Sequence, residues 1–288
     1  LLSNNGDPAN HGNAFKRVDR QTERIRAKAD RLERQVERKS FDRSEDKPEA
    51  SARDQREAAL ATASPLAGFV ISVDPGHNGG NASDPAAINR QVVAYADGAT
   101  KACNTTGTET NDGSLTESAF NFDLAVVLEM KLRALGATVV TTRTNDSGVG
   151  PCINERAEIA NRAHADAAIS IHADGNYGAN AHGFDVIHPA SDEMVNPSMA
   201  GPSLKLATDL RNALVATGVP PANYVGKFGL DARDDLGGLN LSKVPAVLAE
   251  MGNMRSETEA AQLESSAYRE RLAEALVAGI VAFLRPYG

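Results

Sequence analysis

From Phe69 onward, short runs of β-branched residues alternate with stretches of helical periodicity, and this alternation restricts the fold more than any other feature of the chain. Strands are expected at 69–73, 137–143, in AAISIHADG up to His172, at 183–189 and in PAVLAEM at 245–251. Between them lie helical patterns. One spans 117–135, with Phe120, Leu124, Val127, Leu128 and Leu135 on one face and Gly136 as its stop. Others fall at 153–165, at Leu206 to Leu214 stopping near Gly218, and at Leu272 to Phe283 before Pro286. Strands alternating with helices specify an α/β domain with a mostly parallel, twisted sheet flanked by helices.

The first 65 residues read differently. Residues 16–39 form one long charged helix, with ten Lys/Arg against five Asp/Glu and a thin stripe of Val18, Ile25 and Leu32. Residues 40–67 are a polar linker. Residues 1–65 carry +2 and residues 66–288 carry −10, so two modules are expected, 1–67 and 68–288. The +5 helix is a candidate for folding over a cleft in the acidic module, or for binding a coiled-coil activator.

Composition removes several classes. The net charge of −8 argues against non-specific nucleic-acid binding, and the absence of tryptophan against stacking-based readout. No apolar run approaches the roughly 18 residues of a membrane span. No signal peptide is read in the chain. Cys103 and Cys152 exclude a sulfur-only zinc site. They are either two free thiols or a bridge closing a loop of about 50 residues, which contributes about 4 kcal/mol by loop entropy and implies an oxidising compartment.

Four polar residues stand where element ends converge. His77 follows the strand VISVDP, His172 ends ISIH, Glu250 ends AVLAE, and Glu117 opens a helix. Open α/β sheets build sites at strand ends. Two histidines and a carboxylate suffice for catalytic zinc with an open position, leaving a second carboxylate as general base. Each residue has a structural alternative. His77 fits a simple turn. Glu117 fits a capping box reaching back to Ser114, with Glu109 and Asp112 as rival ligands. Glu250, half-buried after Val247 to Ala249, fits an ion pair with Arg143 or Arg156. His11, His164, His182 and His188 carry no specific signal.

VDPGHNGG, the helix-opening Glu117, ISIHADG and VLAEMGNMRSETEAAQL together resemble the four signatures of the zinc-dependent N-acetylmuramoyl-L-alanine amidases of the amidase_3 type. The resemblance covers about 68–285. The cysteine pair with GPCINERAEIAN is similar to the mycobacterial-type members, in which the two cysteines are bridged. The resemblance implies one zinc ion held by His77, Glu117 and His172, with Glu250 as catalytic acid and base. It implies peptidoglycan as substrate, cleavage between N-acetylmuramic acid and L-alanine, and an extracytoplasmic, envelope or secreted location. Asn78 and Asn253, beside these residues, are expected to touch substrate. The interval from His77 to Glu117 is longer than in many members, and 78–113 lacks the pattern of an inserted inhibitory helix. A zinc carboxypeptidase or aminopeptidase, or a catalytically silent envelope adaptor, is the alternative reading.

Overall fold

The computed structural model describes residues 64–190 and 196–285. The helix expected over 16–39, with its cleft-covering or partner-binding role, and most of the linker lie outside these residues. Among them, eight strands form two sheets. The main sheet holds β1 (Val70–Pro75), β4 (Thr138–Thr141), β5 (Ala167–Asp174), β6 (Asp185–Pro189), β7 (Leu230–Arg233) and β8 (Ala246–Asn253). Their order is β4-β1-β5-β8-β6-β7, with β6 antiparallel to β8 and every other pair parallel. A small hairpin, β2 (Gln91–Val93) with β3 (Thr100–Ala102), stands apart.

Alternation along the strands gives the sheet two unlike faces. Ile71, Val73, Ile169, Ile171, Val247 and Ala249 point to one side. There they meet α2 (Glu117–Ala134), α4 (Pro197–Ala216) and α7 (Ser266–Leu284) in a continuous core with Phe120, Leu124, Leu128, Leu206, Leu210, Leu276 and Ile280. These side chains are fully buried or nearly so, and each Val, Leu, Ile and Phe among them supplies about 1.5–3 kcal/mol of hydrophobic transfer. Val127 and Leu135, expected on the buried face of α2, are only half-buried.

The opposite face carries Ser72, Asp74, Ser170, His172 and Glu250. It is covered by the shorter α3 (Ile153–Arg162) and α5 (Gly237–Asn240), where the apolar contacts are few and small, such as Ala160 with Val244 and Leu239 with Ala246. The polar face is therefore the one with room for chemistry. Strand order reverses between β1 and β5, so a crevice opens at their carboxyl ends.

The stretch 78–113, which lacks the pattern of an inserted helix, holds a 3-10 turn (Asn81–Ser83), the short helix α1 (Pro85–Ile88) and the hairpin. Strand β7 and the helix α6 (Glu257–Glu264) are likewise absent from the sequence reading. Strand β5 runs two residues past His172. Cys103 and Cys152 are bridged, tying the end of the hairpin to the start of α3.

Candidate metal centre

His77, Glu117 and His172 meet in the crevice, each offering one ligand atom, and these atoms all lie within 4.8 Å of one another. Glu117 is the bridge between the histidines. Its Oε2 is 3.2 Å from Nε2 of His77 and its Oε1 is 2.8 Å from Nδ1 of His172. The two imidazole rings stand edge to face, 81° apart with centroids at 4.8 Å.

The chain fixes each ligand by a different device. His77 leaves β1 in the left-handed region, φ 56°, a conformation costing a non-glycine residue about 1–2 kcal/mol. Two buried arginines hold the strained turn. Arg156 donates to the carbonyls of Pro75 and His77 and to the Asp74 carboxylate, all at 2.7–2.8 Å. Arg143 donates to the carbonyls of Pro75, Gly76 and Ser118. His77 Nδ1 donates to the Thr105 carbonyl at 3.1 Å, so the protonated nitrogen points away and Nε2 faces the centre. Glu117 is the first residue of α2, where the cap is Thr116, whose side chain accepts from Ala119 N. The expected capping box with Ser114 does not form. The carboxylate turns instead into the crevice and accepts from the amides of Thr108 and Ala173.

These contacts set the protonation states. Burial by itself raises a carboxyl pKa, yet the facing histidines outweigh it and hold Glu117 well below the usual range. Burial lowers His172, which keeps it in the neutral, metal-binding form. For His77 burial also lowers, but Glu117 prevails and the pKa is raised.

Glu250 lies beside His172 in the ladder and lines the same cleft of about 340 Å³ with all three ligands. A second cavity of about 350 Å³ adjoins it, running beneath α3 and α5 past Ala157 and Leu239. The ion pair considered for Glu250 is absent, because Arg143 pairs with Asp146 and Arg156 with Asp74. Burial first, then the charges of Glu117, Asp185 and Asp174, push Glu250 well above the ordinary carboxylate range. A carboxyl so raised is a better proton acceptor than a free one and can take and return a proton.

Glu109 bridges to Thr116, and Asp112 is exposed and occupied by Ser114 and Thr110, so neither rivals Glu117. Asn78 is buried, its Oδ1 accepting from Arg156. Asn253 is buried, its amide donating to the carbonyls of Asn176 and Ala181. Both side chains hold loops beside the cleft. Among the described residues, His164, His182 and His188 take no part in the centre. Asp74 and Thr105 escaped the sequence reading, and Arg143 and Arg156 entered it only as partners for Glu250. Only Asp74 had a signal, an acid closing a β-branched run.

Residues 71–282 match the Amidase_3 family, described as N-acetylmuramoyl-L-alanine amidase. The chain is 42% identical over 231 residues to N-acetylmuramoyl-L-alanine amidase Rv3717 of Mycobacterium tuberculosis, covering 80% of this chain and 92% of that protein. The fold is similar to the crystal structure of the amidase Ami1 from Mycobacterium smegmatis, with a TM-score of 0.72, 41% identity, and 77% and 99% of the two chains covered. It is equally similar to the apo form of Ami1 from Mycobacterium abscessus, with a TM-score of 0.71, 42% identity, and 76% and 100% covered.

Proposed function

The chain belongs to the Amidase_3 family of N-acetylmuramoyl-L-alanine amidases, which are peptidoglycan hydrolases, and we propose that its His77, Glu117 and His172 hold one zinc ion while Glu250 moves the proton of the reaction. The observation that carries the assignment is the convergence of two imidazoles and a carboxylate within 4.8 Å, with Glu250 in the same cleft. Two nitrogens and one carboxylate oxygen, with a face left open, suit zinc rather than the harder oxygen-loving cations.

When bound, zinc polarises the scissile carbonyl and lowers the pKa of water. The chain's own residues do the rest. Thr105 fixes the tautomer of His77, the facing histidines hold Glu117 ionised, and the Thr108 and Ala173 amides orient its carboxylate. Glu250 takes the proton of the attacking water and returns it to the leaving amine of L-alanine. Peptidoglycan as substrate and a disulfide that survives only in an oxidising compartment both favour extracytoplasmic action. Among the described residues, no helix is long and apolar enough to cross a membrane. A coiled-coil activator acting through residues 16–39 rests on the charge contrast alone.

The test is the Glu250→Gln variant loaded with zinc. Turnover is expected to vanish with metal content unchanged, and the native protein is expected to release stem peptides with a free alanine amine from intact glycan. Undiminished turnover in Glu250→Gln would overturn the assignment.

A further inference from the structure

We infer that Arg255, stacked on Tyr177 at the rim of the metal cleft, binds a carboxylate of the stem peptide beyond L-alanine. The inference rests on the amidase reading and deepens it, by naming the part of the substrate that the rim reads. The guanidinium carbon of Arg255 lies 4.8 Å from the centroid of the Tyr177 ring. Tyr177 is 77% exposed, so its ring adds nothing to the core, and its contact with Arg255 holds the guanidinium flat and in place. The Nε of Arg255 is buried without a hydrogen-bond partner, and among the described residues no carboxylate pairs with the guanidinium. A buried donor without an acceptor is rare and calls for one, from water or from a ligand.

Three segments fix the pair beside the cleft. Asp174 and Gly175 line the cleft, and Tyr177 is two residues further along the same loop. The Asn253 Oδ1 accepts from the amides of both Asn176 and Arg255, each at 3.0 Å, which ties that loop to the turn after β8. The Asp174 carbonyl accepts from Met254 N at 2.8 Å. From the other wall, Asn111 donates its side-chain amide to the Arg255 carbonyl at 3.0 Å. Asn111 belongs to the loop that carries Thr105 to Thr108 along the cleft. At Arg255 these bonds use the backbone, so the guanidinium is not what holds the turn.

The chemistry of the substrate decides what such a cation reads. The lactyl carboxyl of N-acetylmuramic acid is consumed in the scissile amide, and N-acetylated sugars are neutral. Negative charge therefore sits on the peptide side, where the stem ends in at least one carboxylate. Other cations near the centre are already engaged. Arg156 is paired with Asp74, and Lys101, which lines the adjoining cavity, with Asp235. Residues 66–288 carry −10, so an anionic peptide approaches against the overall field and gains most from a local cation. A guanidinium offers a carboxylate two parallel hydrogen bonds, and one already fixed by stacking loses little freedom on binding.

The experiment uses the whole chain, zinc-loaded, and two purified substrates, N-acetylmuramoyl-L-alanyl-D-glutamate and its diamide, in which carboxamides replace both carboxylates. Release of the free alanine amine is followed, and the ratio of the two kcat/KM values is the readout. The native protein is expected to prefer the dicarboxylate by about 10- to 100-fold, the range of a hydrogen bond to a charged group. In Arg255→Gln the ratio is expected to fall to within about twofold of unity. Arg255→Lys keeps the charge without the planar fork and is expected to fall between. Arg271→Gln removes a guanidinium stacked on Tyr268 at 4.7 Å, on α7 and outside the cleft, and should keep the native ratio. A native ratio near unity overturns the inference. So does an Arg255→Gln variant that slows both substrates equally and keeps the native ratio, because the side chain would then only support the turn. Should Arg255→Gln fail to fold, a native ratio in Arg255→Lys overturns it as well. Cleavage of neither substrate by the native protein overturns the amidase reading, and this inference with it.

Discussion

A Cβ atom placed on Gly76 would stand 2.2 Å from both Cε1 and Nε2 of the His172 ring. The turn after β1 and the end of β5 thus approach so closely that only hydrogen fits between backbone and ligand. Gly76→Ala is expected to displace the His172 ring without unfolding the sheet, because the ring borders an open cleft. Metal affinity should fall about 10- to 100-fold, as for loss of groups that orient a ligand, measured by zinc competition against a chromogenic chelator. Gly98→Ala is the matched control. It has φ +90° and nothing within 4 Å of the added carbon. It should cost about 1 kcal/mol of backbone strain and leave zinc affinity unchanged.

Asp74 anchors the same turn from below. Its carboxylate takes Arg156 at 2.7 Å and the hydroxyls of Ser170 and Thr142. Burial opposes ionisation there, but Arg156 and the hydroxyls prevail and hold the pKa at about 2, below its usual 3.8. A depressed carboxylate stabilises the fold above its unfolded value and loses that stabilisation as pH falls through the folded one. Asp74→Ala should therefore cost about 3–5 kcal/mol at pH 7, since it strands a buried guanidinium. In urea titrations the gap to the native protein should stay level down to about pH 4 and narrow by about 2.5 kcal/mol between about pH 4 and 2, the share set by the shift from 3.8 to about 2. A gap that ignores pH across that window would mean the salt bridge is not its source.

The parts of this site that were legible in the sequence were those written in local pattern. His77, His172 and Glu250 each terminate a β-branched run, and strand ends of a parallel sheet converge whatever the loops do. Glu117 was half-legible. A first-turn acid signals a helix start whichever way its carboxylate turns, and only the fold, which brings the Thr108 and Ala173 amides to it, turns it into the crevice. Arg143 and Arg156 were illegible because their main partners are carbonyls of a turn about 70–80 residues away in sequence. The loop-holding bonds of Asn78 and Asn253 were illegible for a related reason, since proximity in sequence to a site residue says nothing about which way an amide faces. The hairpin and β7 were missed because strands of three or four residues are too short to carry a detectable period.

Asp185 predicts the opposite pH signature to Asp74. Burial, then the charges of Asp231 and Asp174, push its carboxyl up to about 7 from 3.8. A raised carboxyl binds its proton more tightly in the folded state. The penalty is absent below pH 3.8, grows as pH rises, and is complete above about pH 7. In the metal-free protein, Asp185→Asn should be more stable than native at pH 8 by a few kcal/mol, about 1.4 for each pH unit of the shift. The advantage should disappear by about pH 4. Thermal unfolding at the two pH values reads the difference, and an advantage equal at both would place its origin in packing instead.

The Cys103–Cys152 bridge acts on both the unfolded chain and the metal centre, and the two effects are separable. Its ends are 49 residues apart, which by loop entropy alone stabilises the fold by about 4 kcal/mol. In the folded state Cys103 is two residues before Thr105, whose carbonyl accepts from His77 Nδ1 and from the Asn81 amide. The carbonyl of Cys103 also accepts from Ile153 N at 2.9 Å, so the bridge and the first turn of α3 together fix where Thr105 stands. Replacing both cysteines by serine should lower unfolding free energy by about 4 kcal/mol in urea. It should also weaken zinc binding by about tenfold, because His77 loses part of the support for its tautomer and ring orientation. A variant that loses stability while binding zinc at native affinity would confine the bridge to the unfolded chain. Loss of both ties the oxidation state of the hairpin directly to occupancy of the metal centre.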